Sequence, residues 1–245
     1  MKSGFLQNIN MRFFAKMIAV ACIIEGTILK SAWKQLSVTT TISPGYCNNL
    51  MIDALSSETV IAFVPIISAL HYSGTYIDDL KSKFVIFHLI RSNYYSYLIS
   101  CIMVCFLCGG GVILLGNLLS WGVSVLLFVP MEMATEKDVA STTSLMPILV
   151  LFFLSGGLWA VVGMALSTIM ESKYIAYASP FVIYYLLVIL CERYLPAAYL
   201  LYPPNWTKPN VWPYGAWGAS IFLLELTLVF SILFTIRAKR RLREL

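Results

Sequence analysis

The sequence is poor in charge. Only 12% of its 245 residues are Asp, Glu, Lys or Arg, about half the ~25% of an ordinary soluble domain. That deficit excludes a solvated surface over most of the chain. Histidine is nearly absent. His71 and His88 are the two, and neither belongs to an H-E-x-x-H pair, so a zinc-peptidase site of that kind is excluded. No G-x-x-x-x-G-K-S/T phosphate loop occurs, so the chain does not hold ATP in that way. No G-x-S-x-G nucleophile elbow occurs either. The start of the chain lacks the basic run, apolar core and small-residue site of a cleavable signal peptide. Cysteines number six. Five lie in or beside apolar runs and Cys47 in a loop, which gives no disulfide framework. Cys101, Cys105 and Cys108 share a helical face by spacing and read as small buried hydrophobes rather than a metal or redox cluster. Only Glu25 and Glu225 place acid inside apolar runs, fewer than an ion-driven carrier usually shows, and no internal repeat stands out.

What fills the chain instead is apolar. Hydrophobic residues make up 59% and the mean hydropathy is +0.80. The runs are continuous and long, as membrane-crossing helices of about 20 residues require. Barrel strands would alternate over about 10 residues. The fold class is therefore an all-α membrane protein, one transmembrane domain over 1–245. Expected spans are 18–36, 59–76, 94–129, 147–170, 175–194 and 214–236. The net charge of +5 sits in short flanking segments, as membrane orientation requires, and does not signal nucleic acid.

Several stretches carry more specific expectations. Phe5, Leu6, Ile9, Phe13 and Met17 recur at helical spacing beside Lys2, Arg12 and Lys16. They form either an interfacial helix or a long start to the first span. Glu25 in that span lines a cavity, pairs within an assembly, or snorkels to an end. Positions 37–57 are polar and read as an external loop. Pro65, His71 and Gly74 offer bend points in the second span. The run 94–129 is too long for one straight crossing, at about 50 Å, and Gly109, Gly110 and Gly111 are expected to break its helix. Cations in the tail (Arg237, Lys239, Arg240, Arg241 and Arg243) and near the start place both ends in the cytoplasm. An even number of spans follows, so 94–129 counts as one broken helix and the total is six. Leu154-Ser155-Gly156-Gly157 spells the start of an ATPase signature but lies in an apolar run, where small residues serve helix packing. External segments are 130–146 and the aromatic 196–213, with Tyr199, Tyr202, Trp206 and Trp212. A short re-entrant or surface helix suits the latter.

The stretch 74–96 is the charged one between two apolar runs. It holds Asp78, Asp79, Lys81, Lys83 and Arg91 around an apolar FVIFHLI too short to span. It reads as an amphipathic helix at the cytoplasmic surface, with a solvated loop as the plainer alternative. As a docking element it would use Leu80, Phe84 and Phe87 as anchors and the charges as a rim.

The order of parts resembles the type-2 ABC exporter permease family. The resemblance is carried by Asp78-Asp79-x-Lys81-Ser82-Lys83-Phe84 and Leu89-x-Arg91-Ser92-x-x-Tyr95-x-Tyr97. Tyr184-Tyr185 and Pro204-x-Trp206 look similar to the subgroup that exports peptides or confers peptide-antibiotic immunity. Cys101 departs from the pattern, standing where a basic residue is expected. The resemblance implies six spans, an N-terminal interfacial helix, a cytoplasmic coupling helix and an external hydrophobic element before the last span. It further implies a homo- or heterodimer of permeases in the lipid of a bacterial plasma membrane. Separate ATPase subunits would bind ATP and magnesium, and this chain would have no catalytic site. The alternatives are a secondary carrier or a non-transport scaffold or sensor.

Overall fold

The long apolar runs fold as helices because a backbone in hydrocarbon must satisfy its own polar groups. The computed structural model describes residues 2–36, 45–82, 94–129, 144–195 and 197–242. These form α1 (Lys2–Leu36), α2 (Tyr46–Ser56), α3 (Glu58–Tyr72), α4 (Thr75–Lys81), α5 (Tyr94–Phe128), α6 (Leu145–Met170), α7 (Lys173–Arg193) and α8 (Gly215–Leu242). Two short 3-10 turns, Pro203–Asn205 and Pro209–Val211, precede α8. Among the described residues there is no strand. Among the described residues five stretches are long and apolar enough to cross a membrane: Glu58–Lys81, α5, α6, α7 and Gly215–Arg241. The protein is thus an all-helical, multi-pass membrane protein. α1 falls short of that standard because Glu25 and Lys30 interrupt it, with Lys16 and Lys34 on either side.

α6 is the axis. Leu151, Leu158, Ala160, Val161, Met164 and Ala165 on it are fully enclosed, which is the pattern of a helix apolar on every face. α3, α5, α7 and α8 all pack on it. Its small residues set how close they come. A Cβ on Gly109 would lie 2.4 Å from the Ala160 Cβ, and one on Gly110 2.5 Å from the Phe153 carbonyl oxygen. Gly157 faces the Phe106 ring in the same way. The α5–α6 seam is therefore backbone against backbone, as small residues permit in lipid.

This corrects the reading of the glycine run. α5 is continuous from Tyr94–Phe128, and Gly109, Gly110 and Gly111 lie inside it. Three glycines cost a helix about 1 kcal/mol each against alanine. Breaking it in hydrocarbon costs several kcal/mol per unsatisfied backbone group, and the close contact with α6 is lost as well.

Two further expectations are revised. The residues 5–17 are not a separate interfacial helix, because α1 runs unbroken over Lys2–Leu36. The described part of 37–57 is not an open loop. α2 buries Cys47, Leu50, Met51, Ala54 and Leu55, a helical stripe. Ser57 then caps α3, its side chain accepting from the Val60 N–H at 3.4 Å.

The register of α1 follows from its contacts. The Lys16 ammonium donates to the Leu70 carbonyl at 2.6 Å, about midway along Glu58–Lys81. Val20 and Ile24 share a cavity of about 10 Å³ with Val60, Val64 and Ile67. The part of α1 level with the other helices therefore begins before position 18, the expected start of the first span. Glu25 falls near the level of the first turn of α3. Beyond that level stand the end of α1, α2 and the last turns of α5. There the Tyr46 ring meets Phe128 edge-on at 6.3 Å, and the Trp121 indole donates to the Asn48 side-chain amide oxygen Oδ1 at 3.2 Å.

Candidate functional site

Polar chemistry gathers at the two ends of the bundle. One end holds the turn between α3 and α5, the α6–α7 turn and the end of α8. The chain leaves α3 at Ser73-Gly74, where Ser73 donates to the Ala160 carbonyl at 2.9 Å. Gly74 lies so close to α7 that an added Cβ would sit 2.7 Å from the Tyr177 hydroxyl. α4 follows and is anchored by Tyr76 and Ile77, 2% and 1% exposed. The Tyr76 ring meets Phe234 of α8 edge-on at 4.9 Å. Charged groups close the same end. Lys173 pairs with Asp78 at 3.5 Å. Arg241 pairs with Glu171. The Lys239 ammonium donates to the Tyr95 hydroxyl at 3.2 Å.

Glu171 holds a position that glycine usually takes. It ends α6 with φ +54°, in the left-handed region, a conformation costly for residues with a Cβ. The hydrogen bond from Arg241 holds its carboxyl below the usual carboxylate range. That pair is what the glutamate adds at a glycine-like position.

Of the docking residues read from the sequence, Asp78 and Lys81 are exposed, Asp79 is half-buried, and Leu80 packs partly buried against the Tyr76 cluster. Lys83, Phe84, Phe87 and Arg91 lie outside the described residues. The structure thus brings Asp78, Asp79, Leu80 and Lys81 onto one short helix.

The two acids expected inside apolar runs are far apart in role. Glu25 Oε1 accepts from the Ser120 hydroxyl at 3.0 Å and the Ser124 hydroxyl at 3.3 Å, so it ties α1 to α5. Glu225 is exposed on α8 among Ile221, Leu224, Leu228 and Val229, which are also exposed. It has no hydrogen-bond or ion-pair partner among the described residues. Asn117, not singled out from the sequence, is 1% exposed on α5 and lines the small cavity between α1 and α3. A lone amide in an apolar run was the available signal.

The opposite end carries a larger cavity, of about 330 Å³, between the start of α3, the end of α7 and the Pro203–Asn205 turn. Glu58, Glu192, Tyr184 and Tyr202 line it. The Tyr202 hydroxyl donates to Glu192 at 3.0 Å. Burial, then that bond and the fields of Glu192 and Glu58, push the Tyr202 phenol up to about 12. Neither acid was singled out from the sequence, which marked this end only by its aromatic residues. Trp206 and Trp212, both buried, seat the turns here. Their indoles donate to the Leu200 and Asn205 carbonyls at 2.8 and 2.9 Å.

Comparison with models of known protein families, with curated proteins and with solved structures gives no match. The cysteines are free thiols, with Cys105 fully buried.

Proposed function

We propose that the chain is the transmembrane permease subunit of an ABC exporter, moving an amphipathic or hydrophobic substrate such as a peptide. On this reading it works as a dimer, and separate ATPase subunits bind ATP and magnesium and supply the only catalysis. Six helices cross a bacterial plasma membrane, with α1 as the first despite its charges. Lys16 is tolerated there because a backbone carbonyl receives it. The basic end faces the cytoplasm.

The observation that carries this reading is the mounting of α4. The helix is short and charged, yet it is fixed to α7 through Asp78–Lys173 and to α8 through Tyr76–Phe234. A push on the adjoining 83–93 would reach two long helices instead of being lost in a slack loop. Phe84 and Phe87 serve as the anchors for the ATPase, with Lys83 and Arg91 in the rim. Leu80 belongs to the mounting. Glu225 supports the second copy, because an acid facing lipid is costly and a protein neighbour removes that cost.

The test is co-purification with an ATPase subunit, and then the Phe84→Ala, Phe87→Ala double variant. Truncating an interface anchor often costs about 2 kcal/mol or more, so ATPase binding should fall at least about 30-fold while the chain still inserts. Full binding and coupled transport in the double variant would overturn the docking assignment. Failure of any ATPase to co-purify would overturn the function.

A further inference from the structure

The cavity of about 330 Å³ at the end opposite α4 has a composition that bundle packing does not require. Glu58 stands in the first turn of α3, where the helix dipole favours an acid. Glu192 stands in the last turn of α7, where the dipole opposes one. The two line the same cavity, and neither has an ion-pair partner among the described residues. A third polar group joins them independently. Tyr184 is only 4% exposed, lines the cavity, and its hydroxyl has no hydrogen-bond partner among the described residues. That hydroxyl is therefore available to a donor that enters the cavity. Apolar walls complete the site, with Phe63 and Tyr185 among its lining residues.

We infer that this cavity binds a primary ammonium group carried on an apolar or aromatic body. An ammonium has three N–H donors and no acceptor. Glu58, Glu192 and the Tyr184 hydroxyl are three acceptors, and two of them carry the opposite charge. Tyr202 steers the Glu192 carboxylate by donating to it, and the aromatic Tyr185 is among the lining residues. The volume lies in the range of small-molecule sites, roughly 300–1,000 Å³. The position at helix ends gives access to water and to lipid headgroups alike. The ammonium therefore comes from a free amine or from an aminophospholipid, with the same recognition chemistry. The site stands whether or not the chain is a transporter subunit, since its test is equilibrium binding alone.

The experiment uses the full chain in nanodiscs of phosphatidylglycerol, with phenethylammonium as the probe and calorimetry as the readout. Saturable binding is expected, and phenethyl alcohol should not bind. Glu58→Gln and Glu192→Gln should each weaken binding about ten-fold, as loss of one charge-assisted bond implies. Tyr184→Phe, which removes only a hydroxyl, should weaken it by a few-fold. Asp53→Asn alters an exposed acid of α2 that does not line the cavity and should leave binding unchanged. In nanodiscs that also contain phosphatidylethanolamine, a raised apparent Kd assigns the site to the lipid headgroup, and an unchanged Kd assigns it to the free amine. Absence of binding, equal binding of the alcohol, or wild-type affinity in the Glu58→Gln, Glu192→Gln double variant would each overturn the proposal.

Discussion

The two ends of the bundle treat their acids in opposite ways. At the α4 end Asp78 pairs with Lys173 and Glu171 with Arg241. At the other end Glu58 and Glu192 share a cavity and receive only the Tyr202 hydroxyl among the described hydrogen bonds. Arg193 and Lys208 lie at that end too, yet neither forms a salt bridge among the described residues. Ion pairs neutralise Asp78 and Glu171 and tie helices together there. At the other end Glu58 and Glu192, both exposed, line a cavity whose remaining walls are largely apolar. Charge that is paired holds structure, whereas charge left facing a cavity is available to a ligand.

The contrast depends on the α5–α6 seam that holds the ends in register, so the largest effect should come from there. Gly110→Val would drive side-chain atoms into the Phe153 carbonyl and ring. The loss should be about 1–3 kcal/mol, read as a lower thermal midpoint in detergent by tryptophan fluorescence. A midpoint at the wild-type value would mean that the seam is looser than drawn. A smaller change makes the two ends alike. Thr59, exposed in the cavity wall, replaced by Lys puts a fixed cation beside both acids. Thr59→Lys should raise the thermal midpoint by up to ~1 kcal/mol equivalent and abolish phenethylammonium binding. Unpairing the other end is smaller still. Asp78→Asn should cost under about 1 kcal/mol, since both partners are about half exposed and water screens such pairs. A loss above ~2 kcal/mol would show that the pair is stiffer than its exposure implies.

The smallest effect is a pH dependence at Glu171. Its folded carboxyl titrates below the ordinary range because Arg241 donates to it. A depressed carboxyl contributes stability that is full above the unfolded value, near 4.5, and lost as pH falls through the lower folded value. Wild type and Glu171→Gln should therefore differ slightly near neutral pH and converge in acid. Constant separation of the two melting curves down to about pH 3 would remove the pair from the account.

Fold class was open to reading because hydrocarbon imposes one solution on long apolar runs. The turn at 171–173 was visible for the same reason, as the few polar residues between two such runs. Leu154-Ser155-Gly156-Gly157 behaved as small residues do in lipid, with Gly156 against Ile113 and the Gly109 carbonyl. Other features were hidden by the limits of local rules. Helix propensity argued for a break at Gly109, Gly110 and Gly111, but propensity omits the α6 neighbours that make glycine necessary at Gly109 and Gly110. α2 was masked by its polar dipeptide Asn48-Asn49, although Cys47, Leu50, Met51, Ala54 and Leu55 carried helical spacing throughout. The level of Glu25 was illegible, because counting apolar residues gives a helix its length and not its register against others. Glu58 and Glu192 are 134 positions apart in the chain, and only packing of α3 on α7 places them on one cavity.

One consequence of the length of α5 concerns the bilayer itself. Its 35 residues make about 52 Å at ~1.5 Å per residue, against a hydrocarbon layer of about 30 Å. The overshoot is not dressed for water: Leu126 is 78% exposed, and Leu127 and Val129 are nearly half exposed. An apolar helix longer than its solvent is thick tilts or draws the lipid up around itself, at a fraction of a kcal/mol per Å. The protein should therefore sense membrane thickness. In vesicles of increasing acyl-chain length its melting midpoint should climb, and a midpoint indifferent to chain length would mean that another surface already shelters those leucines.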